Sequence, residues 1–131
     1  MTAIDLAKSL YQAVAAGDAD GVVTLLHPEV RWTEAEGFPY YQGTWTSPQQ
    51  VLENLLVPLG QDWDGFTVAP DEFFTDGDVV VCLGNYSGTS KSTGKAMHSP
   101  FMHRWEAGDG KLKTFVMLAD TLLVDRALTA D

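Results

Sequence analysis

The sequence predicts an α+β fold in which helices lie on one face of a largely antiparallel sheet. Three observations carry this. Apolar residues recur at helical spacing in the first 26 positions, strand-like alternation punctuated by glycine turns fills the second half, and the amount of apolar material suits one core. Hydrophobic residues make up 45% and charged residues 20% of the 131. Disordered, collagenous and disulfide-scaffold classes do not have that composition. The length fits one domain over residues 1–131.

Residues 2–16 form the first expected helix. Ile4, Ala7, Leu10, Tyr11 and Val14 fall at three- and four-residue steps, Thr2 can cap the start and Gly17 can end the run. Asp18 caps a second, short helix through Val22, Val23, Leu25 and Leu26, which Pro28 ends. Residues 30–36 alternate as a strand, with Val30, Trp32 and Glu34 on one face and Arg31, Thr33 and Ala35 on the other. An aromatic loop follows over 37–43. Ser47 and Pro48 open a helix to about Leu59, its buried side made of Val51, Leu52, Leu55 and Leu56.

From Gly65 the chain reads as a meander. Strands are expected over 66–75, 79–90, 95–106 and 111–121. Asp76-Gly77 is a hairpin turn signal, Gly88 to Gly94 a looser connection, and Gly108-Asp109-Gly110 a second tight turn. The tail from Leu122 to Leu128 reads as a short helix or an edge extension. A sheet curled around one long helix leaves a cone, and one end of that cone holds side chains or a ligand.

The balance of charge narrows the partners. Eight basic against eighteen acidic residues give a formal charge of −10, which repels nucleic acid and anionic membrane surfaces. The single cysteine, Cys82, sits in the apolar run 79–83 and reads as a small buried hydrophobe. One cysteine and three scattered histidines do not form a metal cluster, so no metal and no cofactor are expected. The first ten residues make a poor leader, and no apolar run approaches the ~18 residues of a membrane span. A cytoplasmic protein is the expectation.

Short motifs, in order, resemble a known family. Gly17-Asp18-Ala19-Asp20-Gly21-Val22-Val23 followed by Leu26-His27-Pro28-Glu29-Val30 is similar to the start of the nuclear-transport-factor-two-like superfamily. The stretches 34–40 (Glu-Ala-Glu-Gly-Phe-Pro-Tyr), 100–105 (Pro-Phe-Met-His-Arg-Trp), 109–111 (Asp-Gly-Lys) and 119–121 (Ala-Asp-Thr) resemble its SnoaL-like, ketosteroid-isomerase-related branch. The resemblance spans nearly the whole chain. It implies a cone-shaped, curved, mixed or antiparallel sheet around N-terminal helices (a cystatin-like α+β barrel). It also implies an apolar pocket and a homodimer formed through the sheet. The superfamily holds isomerases, cyclases, hydrolases, dehydratases and members without catalysis, so the fold does not settle the reaction.

Counted without gaps from the Gly17–Gly21 turn, Glu34 falls where ketosteroid isomerase keeps its carboxylate base. Leu10 falls where that enzyme keeps its oxyanion-stabilising tyrosine. Tyr11 is one residue on, about 100° around the helix, and is expected to point elsewhere. His103 and Asp120 resemble the histidine and aspartate that polyketide-cyclase-like members carry on their last two strands. The residues themselves leave alternatives open. Glu34 either enters the cone, where desolvation raises its pKa into the range of a base, or ends an exposed strand beside Glu36. His103 shares a face with Phe101 and Trp105, as a pocket histidine or a core one. Asp120 continues the even-numbered face of Leu112, Thr114, Val116 and Leu118, as a pocket acid or a strand-end cap. An even hairpin loop puts His103 and Asp120 on one face, and an odd loop or a bulge separates them. His27 reads as structural, and His98 and Arg104 face away from His103.

The candidate catalytic residues are thus Glu34, His103 and Asp120. The candidate substrate-binding wall is Trp32, Phe38, Tyr40, Trp63, Phe101, Trp105, Val116 and Leu118, with Tyr41 and Phe66 as further wall or lid. The expected partner is a small apolar carbonyl compound handled by isomerase-, cyclase- or dehydratase-type acid–base chemistry. The alternative is a non-catalytic ligand-binding or dimerisation module of the same fold.

Overall fold

Thr2 opens helix α1 (Ala3–Ala15) with a reciprocal capping box, its side chain accepting from the Asp5 N–H and the Asp5 carboxylate accepting from the Thr2 N–H. Gly17 ends the turn at φ 67°, a conformation that costs glycine little. The computed structural model describes residues 1–131. Asp18 caps α2 (Ala19–Leu25) by accepting from the Gly21 N–H. This helix stops earlier than Pro28 requires. Leu26 is already extended, with φ −82° and ψ 139°, and starts β1 (Leu26–Thr33) by pairing with Leu112. Pro28 therefore lies inside the strand, within a register shift between Leu26 and Arg31 where its missing N–H is tolerated.

The aromatic loop leads to β2 (Thr44–Trp45), a two-residue strand too short to show alternation in sequence. Ser47 then caps a run of three contiguous helical segments, α3 (Pro48–Val51), a π-helical stretch (Leu52–Leu56) and α4 (Val57–Asp62). Pro58 explains the middle one. In a regular α-helix its ring would press on the carbonyl four residues back, and it has no N–H to offer. The chain widens instead, and the Val57 N–H reaches the Leu52 carbonyl, five residues back.

Four long strands complete the fold: β3 (Trp63–Asp76), β4 (Val79–Ser90), β5 (Ala96–Gly108) and β6 (Lys111–Ala119). The connection expected over 88–94 is shorter, because Gly88, Thr89 and Ser90 pair with Met97, Ala96 and Trp63. The sheet order is β2-β1-β6-β5-β4-β3. All neighbours are antiparallel except β1 and β6. Register shifts in β1, β3 and β6 bend this open sheet around α1. Leu6, Ala7, Leu10 and Tyr11 fill the concave side against Trp32, Val80, Trp105 and Phe115. A Cβ at Gly84 would overlap the Ala69 carbonyl oxygen and the Phe101 ring, so this glycine lets Phe101 lie flat across β4. The tail forms α5 (Thr121–Leu128), with Val124 and Ala127 buried. No helix is long and apolar enough to cross a membrane.

The bulge in β6 decides which residues meet the interior. The β5–β6 hairpin has an even, two-residue turn, Asp109-Gly110, with both residues at positive φ. Glu106 pairs with Thr114 and Ala107 with Leu112, so Lys113 is an extra residue. Beyond it odd pairs with odd, and Phe115 and Met117 turn inward. Val116 and Leu118 face outward, which corrects their expected place in the pocket wall. Asp120 is corrected as well: it is exposed at the N-cap of α5, and its side chain makes no capping bond.

Candidate active site

Glu34 follows directly on β1 and keeps its alternation, sharing the inner face with Val30 and Trp32. It is 4% exposed. The Trp32 indole N–H donates to its Oε1 at 2.8 Å. Oε2 is buried with no hydrogen-bond partner. Desolvation pushes the carboxyl up to about 7, against the smaller opposing pull of the Trp32 bond. A carboxyl of this kind is half-ionised near neutrality, where a general base is most effective.

His103 lies on the same concave face, 3% exposed, with its ring stacked on Phe101 at a centroid distance of 3.9 Å. Both ring nitrogens are engaged by phenols. The Tyr11 hydroxyl is 2.7 Å from Nδ1, and the Tyr86 hydroxyl is 2.5 Å from Nε2. Burial holds the imidazole well below its ordinary pKa, so it is neutral and carries a single N–H. The Trp105 indole N–H donates to the Tyr11 oxygen at 2.9 Å. The other group in reach of the Tyr11 hydroxyl is the Cys82 thiol, a weak acceptor, so the Tyr11 proton goes to the stronger one, Nδ1. The His103 N–H is then on Nε2 and donates to the Tyr86 oxygen. This directed chain, from Trp105 through Tyr11 and His103, leaves the Tyr86 O–H as its unspent donor.

Tyr86, Glu34, Tyr11 and His103 line one inner cavity of about 40 Å³, walled by Trp32, Phe38, Trp105 and Phe115. The nearby Glu34 charge is one of the influences raising Tyr86 well above its ordinary value, after burial. Two unmatched groups of opposite kind, a carboxylate oxygen and a phenolic proton, thus face a single space.

The other expected wall residues have different places. Phe101 backs His103 and does not line the cavity. Tyr40 and Trp63 tie the aromatic loop to the helix end: Trp63 Nε1 donates to the Tyr40 oxygen at 3.0 Å, and Tyr40 donates to Asp62 at 2.8 Å. Trp63 lines a larger neighbouring chamber. Tyr41 is exposed and Phe66 borders both spaces. His27 bonds Asp109 and the Glu29 N–H, while His98 and Arg104 are exposed on the outer face. No three His, Cys, Asp or Glu side chains are grouped to hold a metal ion.

Two residues of the candidate site escape the sequence reading. Tyr11 points inward together with Leu10, because the buried stripe of α1 is wide enough for neighbours 100° apart. Tyr86 shares the even-numbered face of β4 with Val80 and Cys82, and that alternation is the signal that identifies it.

The SnoaL-like domain model matches residues 7–115, a span that holds Tyr11, Glu34, Tyr86 and His103. The chain belongs to the SnoaL-like domain family. No curated protein matches it. Among solved structures, an NTF2-like protein from Burkholderia thailandensis E264 is 34% identical, with TM-score 0.94 over 98% of each chain. An NTF2-like protein from Burkholderia pseudomallei K96243 is 28% identical, with TM-score 0.89 over 99% of each chain. TerC, co-crystallised with polyporic acid, is 28% identical, with TM-score 0.85 over 96% of this chain and 97% of its own. The SnoaL-like fold is therefore shared along the whole length of this chain.

Proposed function

We propose that this SnoaL-like protein is a cofactor-independent acid–base enzyme of the isomerase, cyclase or dehydratase type, acting on an apolar carbonyl compound. The observation that carries the reading is the unpartnered Glu34 Oε2, buried in the cavity that Tyr86 also lines. The Glu34 carboxylate removes a proton from the carbon next to the carbonyl. The electron pair of that C–H bond moves onto the carbonyl oxygen, giving an enolate. The Tyr86 O–H donates to that oxygen, and its dipole is held in place by the neutral His103 behind it. Glu34 returns the proton at a second carbon in an isomerisation. In a cyclisation the enolate carbon instead attacks a second carbonyl, whose oxygen takes the proton back from Glu34, and in a dehydration the enolate expels a β-hydroxyl that leaves as water with that proton. TerC, a relative co-crystallised with polyporic acid, supports a small organic occupant.

The test is exchange of the α-protons of 2-tetralone in D₂O, followed by NMR. Exchange is expected to accelerate with pH through about 7, as Glu34 ionises. Glu34→Gln is expected to slow it by about 10²–10⁴-fold, the usual worth of a positioned base. Binding without exchange in the unaltered protein would reject the enzyme and leave a ligand-binding module.

A second copy of the chain on the outer sheet face belongs to the same reading. Phe74, Leu83, Met102 and Leu118 are exposed there, on a face formed by β3, β4, β5 and β6. Sedimentation equilibrium is expected to give a dimer that Leu118→Lys dissociates, and a monomer at micromolar concentration would reject it.

A further inference from the structure

The inner cavity is too small for a whole substrate. At about 40 Å³ it has room for about three water-sized groups. Beside it lies an outer chamber of about 410 Å³, within the size range of ligand sites. Eleven of its 15 lining residues are hydrophobic. The two spaces share Val14, Leu56, Leu59, Phe66 and Val68, so these five side chains form a common apolar wall. Leu56 belongs to the π-helical stretch that Pro58 imposes, and it borders both spaces. The carboxylate at the outer chamber, Asp18, already accepts from the Gly21 N–H. The buried, unpartnered polar atom lies at the inner end alone.

We propose that the ligand is bipartite: a compact oxygen-bearing end enters the inner cavity between Glu34 and Tyr86, and an uncharged apolar body fills the outer chamber. This rests on the acid–base reading for the polar end only. The apolar body is held by exclusion of water from the outer walls and by nothing polar. A molecule with an anionic body is disfavoured by Asp18 and by the net charge of −10. The specificity of the protein for size and shape therefore resides in α2, the π-helical stretch, α4 and the start of β3, away from the reacting atoms.

Gly60 provides a clean test. It lines the outer chamber and not the inner one, and a Cβ built on it meets nothing within 4 Å. Gly60→Phe would add a ring at the lining and narrow the chamber, from an α-helical position where any other residue except proline is an improvement in propensity. The probes are phenol and 4-phenylphenol, titrated calorimetrically. Each can donate its O–H to Glu34 and accept from Tyr86. In the unaltered protein 4-phenylphenol is expected to bind at least about tenfold more tightly than phenol, from the apolar area its second ring buries. Gly60→Phe is expected to remove most of that advantage and to weaken phenol less, because phenol's single ring reaches only the inner margin of the chamber. Glu34→Gln is expected to weaken both probes equally. Retention of the second-ring advantage in Gly60→Phe would overturn the bipartite ligand, whatever Glu34→Gln does. Loss of the advantage in Gly60→Phe with no effect of Glu34→Gln would sustain the outer chamber and sink the acid–base reading. Failure of both probes to bind would sink the two together.

Discussion

Glu34→Gln is expected to stabilise the fold at pH 8 by about 3 kcal/mol and to have little effect at pH 4. The carboxyl is pushed from 4.5 in the unfolded chain up to about 7 in the native one, because burial disfavours its charged form. Between those values the native protein holds a proton that the unfolded chain has released. Stability therefore falls as pH rises through the window, and above about 7 the whole penalty is present. Moving the carboxyl from 4.5 to about 7 is worth about 3 kcal/mol, on the order of 10 °C in Tm for a chain of this length. Urea denaturation at both pH values measures it. His103 works in the opposite sense. Its pKa lies well below 6.5, so the unfolded chain takes up a proton that the native ring refuses, and stability is lost as pH falls below 6.5. Between about pH 5 and 6.5 the two slopes oppose each other. Removing Glu34 exposes the histidine's slope, so the variant's stability should rise with pH there by about 1.4 kcal/mol per unit relative to the unaltered protein. A gain that is the same at pH 4 and pH 8 would mean that Glu34 is not desolvated.

His103→Leu has the second large effect, a loss of about 2–6 kcal/mol. Leucine fills much of the ring's volume but leaves the buried hydroxyls of Tyr11 and Tyr86 without their shared partner. Each orphaned hydroxyl costs about 1–3 kcal/mol. Stacking on Phe101 is lost as well. The double variant His103→Leu with Tyr86→Phe removes one orphan along with its partner, so it is expected to recover about 1–3 kcal/mol relative to the sum of the single changes. Strict additivity in chemical denaturation would show that the ring and the phenol are not coupled.

Much of the scaffold is legible in the residues because it is set locally. Thr2 names the start of α1, Ser47-Pro48 the start of the third helical run, and Asp76-Gly77 the first hairpin. Glu34 is legible because strand alternation and the family resemblance agree on it. What escapes depends on partners distant in sequence. β2 exists because Trp45 finds Trp32. Tyr11 and Tyr86 matter because His103, 92 and 17 positions away, lies between them. Asp120 looks like a pocket acid until the extra residue at Lys113 is counted, and no feature of the hairpin's turn announces that residue. His103 itself was legible as a site residue, yet with both nitrogens occupied it positions the Tyr86 hydroxyl and offers a ligand no free atom of its own.

The extra residue at Lys113 has a wider consequence. Gaining or losing one residue at that point exchanges inside for outside along the remainder of β6 while every strand keeps its neighbours. A scaffold built this way can change which side chains of its last strand meet the interior, Phe115 at the cavity among them, by a three-nucleotide insertion or deletion, with the topology untouched. Diversity of reaction within a conserved shape then needs no new architecture, only a change of phase.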